Sequence, residues 1–172
     1  MLKIAGSALI LCACMGYAGG LLGQIGRRRD ILKACLELTE LLSGEIRYER
    51  IPMAEALYKI RDKLDGELSN VLTAIADGLE TGDYTTMEEL WGQSFDAAQG
   101  KLFLTGEELK EVKDIGKNLG FLDLDVQIGH LSGCRERLLR RFNQVQKELE
   151  EKRKLYRSLG LAAGIFAILI LL

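Results

Sequence analysis

A long uncharged run near the amino terminus places the strongest constraint on how this chain folds. Residues 4–26 carry no charge, and Arg27, Arg28 and Arg29 follow at once. A helix rises about 1.5 Å per residue, so this run extends over roughly 34 Å and exceeds a hydrocarbon core of about 30 Å. Because basic residues stay on the cytoplasmic side, the pattern predicts a transmembrane helix with its amino terminus outside and the chain after Arg29 in the cytosol.

A cleaved signal peptide is the alternative interpretation of the same residues. Lys3 and the apolar residues after it are typical of a signal sequence, and residues 11–14 (LCAC) loosely resemble a lipoprotein cleavage box. The run nevertheless stays apolar and contains several glycines beyond Cys14, where a mature chain normally turns polar. The three arginines would also resist translocation, so the anchor is the favoured interpretation.

A second uncharged run closes the chain. Residues 158–172 span only about 22 Å as a helix, which is shorter than the hydrocarbon thickness. Arg157 snorkelling toward the headgroups and local thinning of the bilayer would make up the difference. Lys152, Arg153 and Lys154 again place positive charge on the domain side, so both ends predict a cytosolic middle and both termini outside. An amphipathic tail buried against the domain is the alternative.

Composition predicts an all-helical domain between these two ends. The chain has 25 Asp and Glu against 23 Lys and Arg, and every acid lies within residues 30–151, which argues against a nucleic-acid binder. The single proline and the scarcity of β-branched residues favour helices over strands. We predict an antiparallel bundle of about six helices in residues 30–157. Residues 1–29 form a transmembrane helix with its basic flank, and residues 158–172 form a second transmembrane segment.

The first half of the domain divides into three helices. An apolar stripe over residues 31–46 continues the first helix out of the membrane, and Pro52 ends it near residue 50, since the residue before a proline avoids helical dihedral angles. Pro52 suits the first turn of a second helix, predicted over residues 52–64. A third helix carries apolar positions over residues 68–79 and ends at a Thr-Gly-Asp break at 81–83.

Capping signals mark the remaining helices. Thr85, Thr86 and Thr105 each precede a glutamate by three residues, which is the capping-box pattern expected at the start of a fourth and a fifth helix. The fifth helix is predicted to continue through residue 119. Asp123 is the predicted N-cap of a final helix that runs to the carboxyl terminus.

Three residues of the fourth and fifth helices have apolar or conformational roles. Trp91 falls on the inner face of the fourth helix, where a core anchor is the commoner fate and a hot spot for a partner is the alternative. Gly116 and Gly120 lie one turn apart and would admit close contact between helices. Gly120 would also suit a left-handed turn that ends the fifth helix.

Charged residues at the end of the first helix are the candidate partner-binding surface. Glu45, Arg47, Glu49 and Arg50 lie mostly off the apolar stripe. Such residues more often form a solvated helix surface, and a charged contact face is the functional alternative. We treat them as the first candidates for a docking site.

No catalytic or cofactor-binding pattern is visible in the sequence. There is one histidine, no G-x-S-x-G serine and no glycine-rich phosphate loop, so neither a nucleotide motor nor a cofactor is predicted. His130 and Cys134 share a helix face at a spacing that a metal can use, but no further ligands accompany them and no metal site is predicted. The cysteines show no disulfide pattern, which favours buried thiols in a reducing compartment.

Several short segments, taken in their order and spacing, resemble one family over nearly the whole chain. They are SGEIRY at residues 43–48, Pro52, Trp91, GKNLG at 116–120, Asp123, Gln127 and LYRSLG at 155–160. Together they resemble the stage III sporulation protein AB family, which is similar to the cytoplasmic domains of type II secretion and type IV pilus platform proteins. The resemblance implies an all-helical bundle, with structural roles for Tyr48, Pro52, Trp91, Gly116, Gly120, Asp123 and Gln127.

The same resemblance implies a function in endospore formation. The protein would lie in the mother-cell membrane around the forespore and bind a hexameric secretion-type ATPase, stage III sporulation protein AA, on its cytosolic face. It would couple that motor to other membrane proteins of the same complex. A passive scaffold that self-associates through the final helix is the alternative, and a lipoprotein or membrane-anchored enzyme is a third possibility, of which the enzyme would depend on His130 or a buried carboxylate.

Overall fold

The structure is a computed structural model that describes residues 2–49, 51–82, 84, 86–120 and 123–171. For residues 2–18, 49, 161 and 164–171 it describes the backbone only. Within these ranges the chain forms six α-helices and one π-helical turn and contains no strand. The prediction of an all-helical fold with about six helices is therefore confirmed for the described part of the chain.

The two terminal helices are much longer than the four between them. Helix α1 covers Leu2–Gly44 and passes directly into the π-helical turn Glu45–Glu49, and α6 covers Leu124–Leu171. The shorter helices are α2 (Met53–Arg61), α3 (Glu67–Thr81), α4 (Met87–Leu102) and α5 (Gly106–Asp114). The expectation that the first helix continues past the arginine triplet without a break is confirmed.

Helices α1 and α6 run antiparallel and define the long axis of the bundle. Arg28 lies 3.6 Å from Glu148 near one end, and Glu40 lies 3.7 Å from Arg135 near the other. We call the first the proximal end, because it adjoins the uncharged run 4–26, and the second the distal end. The α2–α3 and α4–α5 connections lie at the proximal end, where Lys101 approaches Glu67 to 3.8 Å.

One apolar core is shared by all six helices. The predicted inward positions supply most of it, because apolar residues spaced three and four apart lie on one helix face. Its largest fully buried side chains are Trp91, Phe95, Leu32, Leu38, Leu42, Leu57, Ile60, Leu68, Leu72, Ile75, Leu102 and Ile115. Burying a leucine or isoleucine contributes roughly 1.5–3 kcal/mol, so this cluster, rather than surface ion pairs, stabilises the bundle.

The predicted caps place the helix starts correctly where the structure describes them. The Thr105 hydroxyl accepts a hydrogen bond from the Glu108 backbone N–H at 3.3 Å, and the Glu108 carboxylate accepts one from the Thr105 N–H at 2.9 Å. Thr86 accepts from the Glu89 N–H at 3.2 Å. The Asp123 carboxylate accepts from two backbone N–H groups of α6, at 2.9 and 3.2 Å. The capping box predicted at Thr85 lies outside the described residues.

Helix α5 is shorter than predicted, because its last carbonyl groups are engaged differently. It ends at Asp114 rather than near residue 119. In a continued α-helix the Val112 carbonyl would accept from the Gly116 N–H, but here it accepts from the Trp91 indole Nε1–H at 3.1 Å and from Ile115 at 3.2 Å. The Gly116 N–H turns to Lys113 instead, which tightens the backbone into i→i+3 turns.

Two other boundaries differ from the predictions. Helix α2 begins at Met53 and ends at Arg61, and the backbone then tightens so that the Leu64 N–H donates to the Arg61 carbonyl at 3.1 Å. Leu64 stays buried without being helical, since the turn still aims it at the core. The π-helical turn after α1 is the second difference. Its five residues carry no distinctive sequence pattern, so apolar periodicity did not predict it.

For most residues of the two predicted membrane segments, the structure describes the backbone and not the side chains. Among the residues that the structure does describe, none of the helices contains an apolar stretch sufficient to cross a bilayer. The last part of the first run is described: Ile25 is buried in the core and Leu22 packs against it. The final turns of this run therefore contact the bundle itself.

Candidate functional site

An arginine from the basic triplet connects α1 to the start of α5. The Arg28 guanidinium donates from Nε to both Glu108 carboxylate oxygens, at 2.9 and 2.8 Å, and from Nη2 to Oε1 at 2.7 Å. Only 1% of the Glu108 side chain is exposed. The same carboxylate caps α5 through the Thr105 N–H, so one buried group both starts a helix and binds its neighbour. We call Arg28, Glu108 and Thr105 the proximal node.

The charges of the node stabilise one another. Burial by itself raises the pKa of Glu108, but the hydrogen bonds from Arg28 and Thr105 outweigh it and bring the pKa below its usual value. The hydrogen bond to Glu108 raises the pKa of Arg28. Arg28 also lies 3.6 Å from Glu148 on α6, and Glu148 in turn accepts from Lys152 at 2.7 Å. The node therefore reaches three helices, α1, α5 and α6.

The remaining arginines predicted to orient the chain have different surroundings. The Arg27 guanidinium lies 4.7 Å from the centre of the Phe103 ring, within range of a cation–π interaction. Arg29 pairs with its neighbour Asp30. Arg157 is exposed on α6. Arg27 and Arg28 thus contact the bundle.

A second set of ion pairs joins α6 to α5, in the helical turns on either side of Glu108 and toward the end of α5. Arg141 donates from Nε to Glu111 at 2.9 Å and lies 2.9 Å from Glu107. Arg137 lies 3.5 Å from Asp114. The node joins α5 to α1 and these pairs join α5 to α6, so α5 is tied by charge to both long helices.

The four predicted partner-binding residues are not equivalent. Arg47 is exposed at the distal end, on the π-helical turn. Only 10% of the Glu45 side chain is exposed, with one oxygen 3.8 Å from Lys63 and the other buried without a hydrogen-bond partner. Glu45 is therefore unsuited to a charged contact face. The Glu49 side chain and Arg50 lie outside the described residues.

An exposed tyrosine accompanies Arg47 on the same turn. Tyr48 is 79% exposed, the largest exposure among the large apolar side chains that the structure describes. Arg47 and Tyr48 line one side of a shallow groove of about 410 Å³, and residues of α6 that include Ser132 and Arg135 line the other. The predicted structural residue Pro52 follows this turn and provides the N-cap of α2.

Trp91 packs directly against Gly116 in the core. Trp91 is fully buried, lies 5.5 Å from Phe95 between ring centres and donates to the Val112 carbonyl. A Cβ at Gly116 would overlap the Cβ and Cγ atoms of Trp91. A core role for Trp91 is confirmed, and its full burial excludes the alternative of a partner hot spot.

Gly120 and Gln127 connect α5 to the start of α6. Gly120 adopts a left-handed conformation with φ 85°, where glycine carries no steric cost. Its N–H donates to the side-chain carbonyl of Gln127 at 3.2 Å, and Gln127 is buried. Together with the Asp123 cap, this contact joins the end of the turn after α5 to the first turns of α6.

His130 and Cys134 meet as their spacing predicts, but in a structural arrangement. The His130 Nε2 lies 2.7 Å from the Asp114 carbonyl oxygen, so this nitrogen donates to the backbone, and Cys134 Sγ lies 3.5 Å away. Burial raises the pKa of the Cys134 thiol, and it raises the pKa of Cys35 to about 12. Both thiols are therefore protonated and unreactive at neutral pH. Within the described ranges no group of three or more metal-ligating side chains comes together.

No local pattern in the sequence points to Glu108 as the central residue of the node. Glu108 appeared in the sequence only as the third residue of a capping box, a position that is usually exposed to solvent. Arg28 appeared only as part of a membrane flank. Their pairing spans 80 positions of sequence, and no local signal connects residues at that separation.

The fold places this chain in the class of all-helical bundles. Two long antiparallel helices pack against four short ones, and buried polar contacts join the helices to one another. Comparison with known proteins identifies the family. The family model for stage III sporulation protein AB matches residues 3–172. The chain belongs to this family.

Individual relatives agree with that assignment. Stage III sporulation protein AB of Bacillus subtilis (strain 168) is 28% identical over 176 residues, covering the whole of both chains. A solved structure of a stage III sporulation protein AB superposes with a TM-score of 0.58 at 24% identity and covers 74% of this chain and 94% of its own. The similarity to that structure supports the helical fold, and the family makes the chain a component of a sporulation system.

Proposed function

We propose that this protein is the membrane platform of a sporulation complex between mother cell and forespore and that its helical domain docks a secretion-type ATPase. The observation that carries the proposal is the continuity of α1 and α6. Each runs without a break from an uncharged end of the sequence into the bundle, where the two pair along their length. Stiff helices of this kind would transmit a displacement of the domain to the membrane.

The proposed topology follows from the charges beside the uncharged runs. Residues 1–29 and 158–172 anchor the chain in the mother-cell membrane around the forespore, residues 30–157 face the cytosol, and both termini lie outside. Arg27, Arg28, Arg29 and Arg157 lie on the cytosolic flank in this arrangement, as the positive-inside rule requires. Pairing of α1 with α6 would bring the two anchors side by side.

In this proposal the proximal node transmits force from the short helices to the two membrane anchors. Arg28 belongs to α1, Glu108 to α5 and Glu148 to α6, so a force applied to the short helices reaches both anchors at the same level. Because the Glu108 carboxylate is buried, separating the pair is costly and the three helices move as one body. A motor that pushes on the domain would therefore move the anchors rather than deform the bundle.

The distal end is the proposed docking face for the ATPase, stage III sporulation protein AA. It lies farthest from the anchors, where a large cytosolic partner has access. Arg47 and Tyr48 are exposed there, and an arginine beside a tyrosine is a combination enriched at protein interfaces. Glu49 and Arg50 belong to the same proposal from their place in the sequence. Glu45 is withdrawn from it because its side chain faces the domain.

Binding measurements on the full chain in lipid nanodiscs test this proposal. The purified ATPase is titrated by calorimetry against the unaltered chain, R47E and K110E. Lys110 is exposed on α5, away from the distal end, so K110E is a matched charge reversal. The proposal expects binding to the unaltered chain and to K110E, and a loss of at least about tenfold in affinity for R47E. Absence of binding both here and by cross-linking in native membranes would refute it.

A passive scaffold is the second candidate. Leu155 and Leu159 are exposed on α6 beyond the bundle, one helical turn apart, and such residues suit self-association of neighbouring copies. A scaffold of this type would keep its oligomeric state in R47E and would show no affinity for the ATPase. The titration above therefore distinguishes the two candidates.

A further inference from the structure

Phe103 combines two features that are each unfavourable in an isolated domain. It follows α4 in a left-handed conformation with φ 55°, which costs on the order of 1 kcal/mol for a residue other than glycine. Its side chain is also 41% exposed, although the neighbouring Leu102 is fully buried. Glycine or asparagine at this position would remove the strain, so the aromatic ring has a use that the core does not provide.

The position of Phe103 indicates what this use is. Its ring lies 4.7 Å from the Arg27 guanidinium, and Arg27 is the first charged residue after the uncharged run 4–26. Two and five residues before Arg27 on α1, Ile25 and Leu22 already pack against the core. Phe103 therefore lies at the level where α1 passes from the uncharged run into the bundle.

The groove beside this ring has mixed charge. It measures about 440 Å³ and lies between α1 and the proximal loops. The basic residues in its lining are Arg27, Lys33, Lys63 and Lys101, and the acidic ones are Asp30, Glu37, Asp65 and Glu67. Glu67 faces Lys101 and Asp30 pairs with Arg29, so no strong net field results. A highly charged partner would not be favoured here, whereas the zone of phosphates and upper acyl chains suits an aromatic ring beside a guanidinium.

We propose that Phe103 inserts into the boundary between headgroups and acyl chains of the bilayer, with Arg27 beside it binding a lipid phosphate. The α4–α5 connection, residues 103–105, is then a third contact of the domain with the membrane, in addition to α1 and α6. This inference rests on the proposed anchoring of α1. It adds that the bundle is held against the lipid surface at a defined height and orientation.

Tryptophan fluorescence in reconstituted vesicles tests the insertion. The full chain carrying F103W is placed in phosphatidylethanolamine–phosphatidylglycerol vesicles whose acyl chains are brominated near the headgroup. The native Trp91 is fully buried in the core and supplies a constant background. The matched control is V126W, because Val126 is 50% exposed at the distal end of α6. We expect about twofold stronger bromine quenching for F103W than for V126W, with a blue-shifted emission.

A second measurement avoids any substitution in the strained loop. The unaltered chain is irradiated in vesicles that contain a phospholipid with a diazirine near its headgroup, and the labelled peptides are identified by mass spectrometry. Labelling within residues 101–107 supports the proposal. Equal quenching of F103W and V126W, with no label in this segment, overturns it if the chain still resists carbonate extraction. A chain that carbonate removes from the vesicles would overturn the proposed anchoring and this inference together.

Discussion

The Arg28 guanidinium binds the Glu108 carboxylate with three hydrogen bonds of 2.7–2.9 Å across 80 positions of sequence. The carboxylate that receives them also completes the capping box of α5, so the first long helix and the start of a short one share one charged group. This contact lies at the end of the bundle that adjoins the uncharged run. It is the link on which the proposed transmission between domain and membrane depends.

Removing the arginine from this pair should destabilise the bundle. R28M keeps the length and apolar stem of the side chain but leaves the buried Glu108 without its main partner, at an expected cost of about 2–3 kcal/mol. Thermal unfolding of the full chain in detergent, followed by circular dichroism, should show a Tm lower by about 5–10 °C. R29M is the matched control, because Arg29 pairs with the exposed Asp30 next to it on the same helix, and its Tm should change little. Equal shifts in the two variants would contradict a special role for Arg28.

The same carboxylate predicts how stability depends on pH. Because the pKa of Glu108 is lowered in the folded state, its contribution is present above its unfolded pKa of about 4.3 and is lost as the pH falls through the folded value. The difference in unfolding free energy between the unaltered chain and E108Q should therefore be constant from pH 7 to about pH 5 and shrink below about pH 4. Urea unfolding at several pH values measures it. A difference in unfolding free energy that grows as the pH falls would show that the pKa of Glu108 is not lowered in the folded state.

Gly116 should tolerate no side chain. In G116A the new Cβ would collide with Trp91 and displace the indole that binds the Val112 carbonyl, at a cost of about 2–4 kcal/mol. G129A provides the comparison, since Gly129 lies within α6 with open space around it and alanine there should stabilise by up to about 1 kcal/mol. Chemical unfolding gives both values, and near-ultraviolet circular dichroism reports the environment of Trp91. A neutral G116A would refute the tight contact.

The buried thiols should be protected until the domain unfolds. Cys35 and Cys134 are fully buried, and burial raises the pKa of both. A small maleimide added to the folded chain in detergent should leave these two unmodified at neutral pH and react with them fully in denaturant, as read by peptide mass spectrometry. Rapid modification in the folded state would mean that α1 and α6 separate from the bundle readily.

Residues with local signals were predicted well. The Thr105 capping box, the N-cap at Asp123 and the inward apolar stripe of each helix depend on residues three or four positions apart, and the structure has them where the sequence indicates. The early end of α5 was not predictable in this way, because its cause is an indole from α4, 21 positions away. The inward-facing Glu45 was missed although its spacing indicates the inner face, because it lies seven positions after the buried Leu38 and three after the buried Leu42.

The same distinction between local and long-range contacts applies to the candidate site. Sequence identified Arg47 as a charged residue off the apolar stripe, and it is exposed. Sequence did not identify Phe103, whose interest comes from a left-handed backbone conformation and from Arg27 on another helix. Contacts between distant segments arise only once the bundle forms, so they had to be observed in the structure.

Accessibility mapping of engineered cysteines, with the chain expressed in the plasma membrane of intact vegetative cells that contain no forespore, tests the central claim most directly. Single cysteines are introduced at Gly82, a connection between α3 and α4 of the domain, and after Leu172 at the carboxyl terminus, and are probed with a membrane-impermeant maleimide before and after permeabilisation. The account predicts that the terminal cysteine reacts in intact cells and that the one at Gly82 reacts only once the membrane is opened. Labelling of Gly82→Cys from outside, or a terminal cysteine that reacts only after permeabilisation, would contradict a cytosolic domain held by two membrane helices.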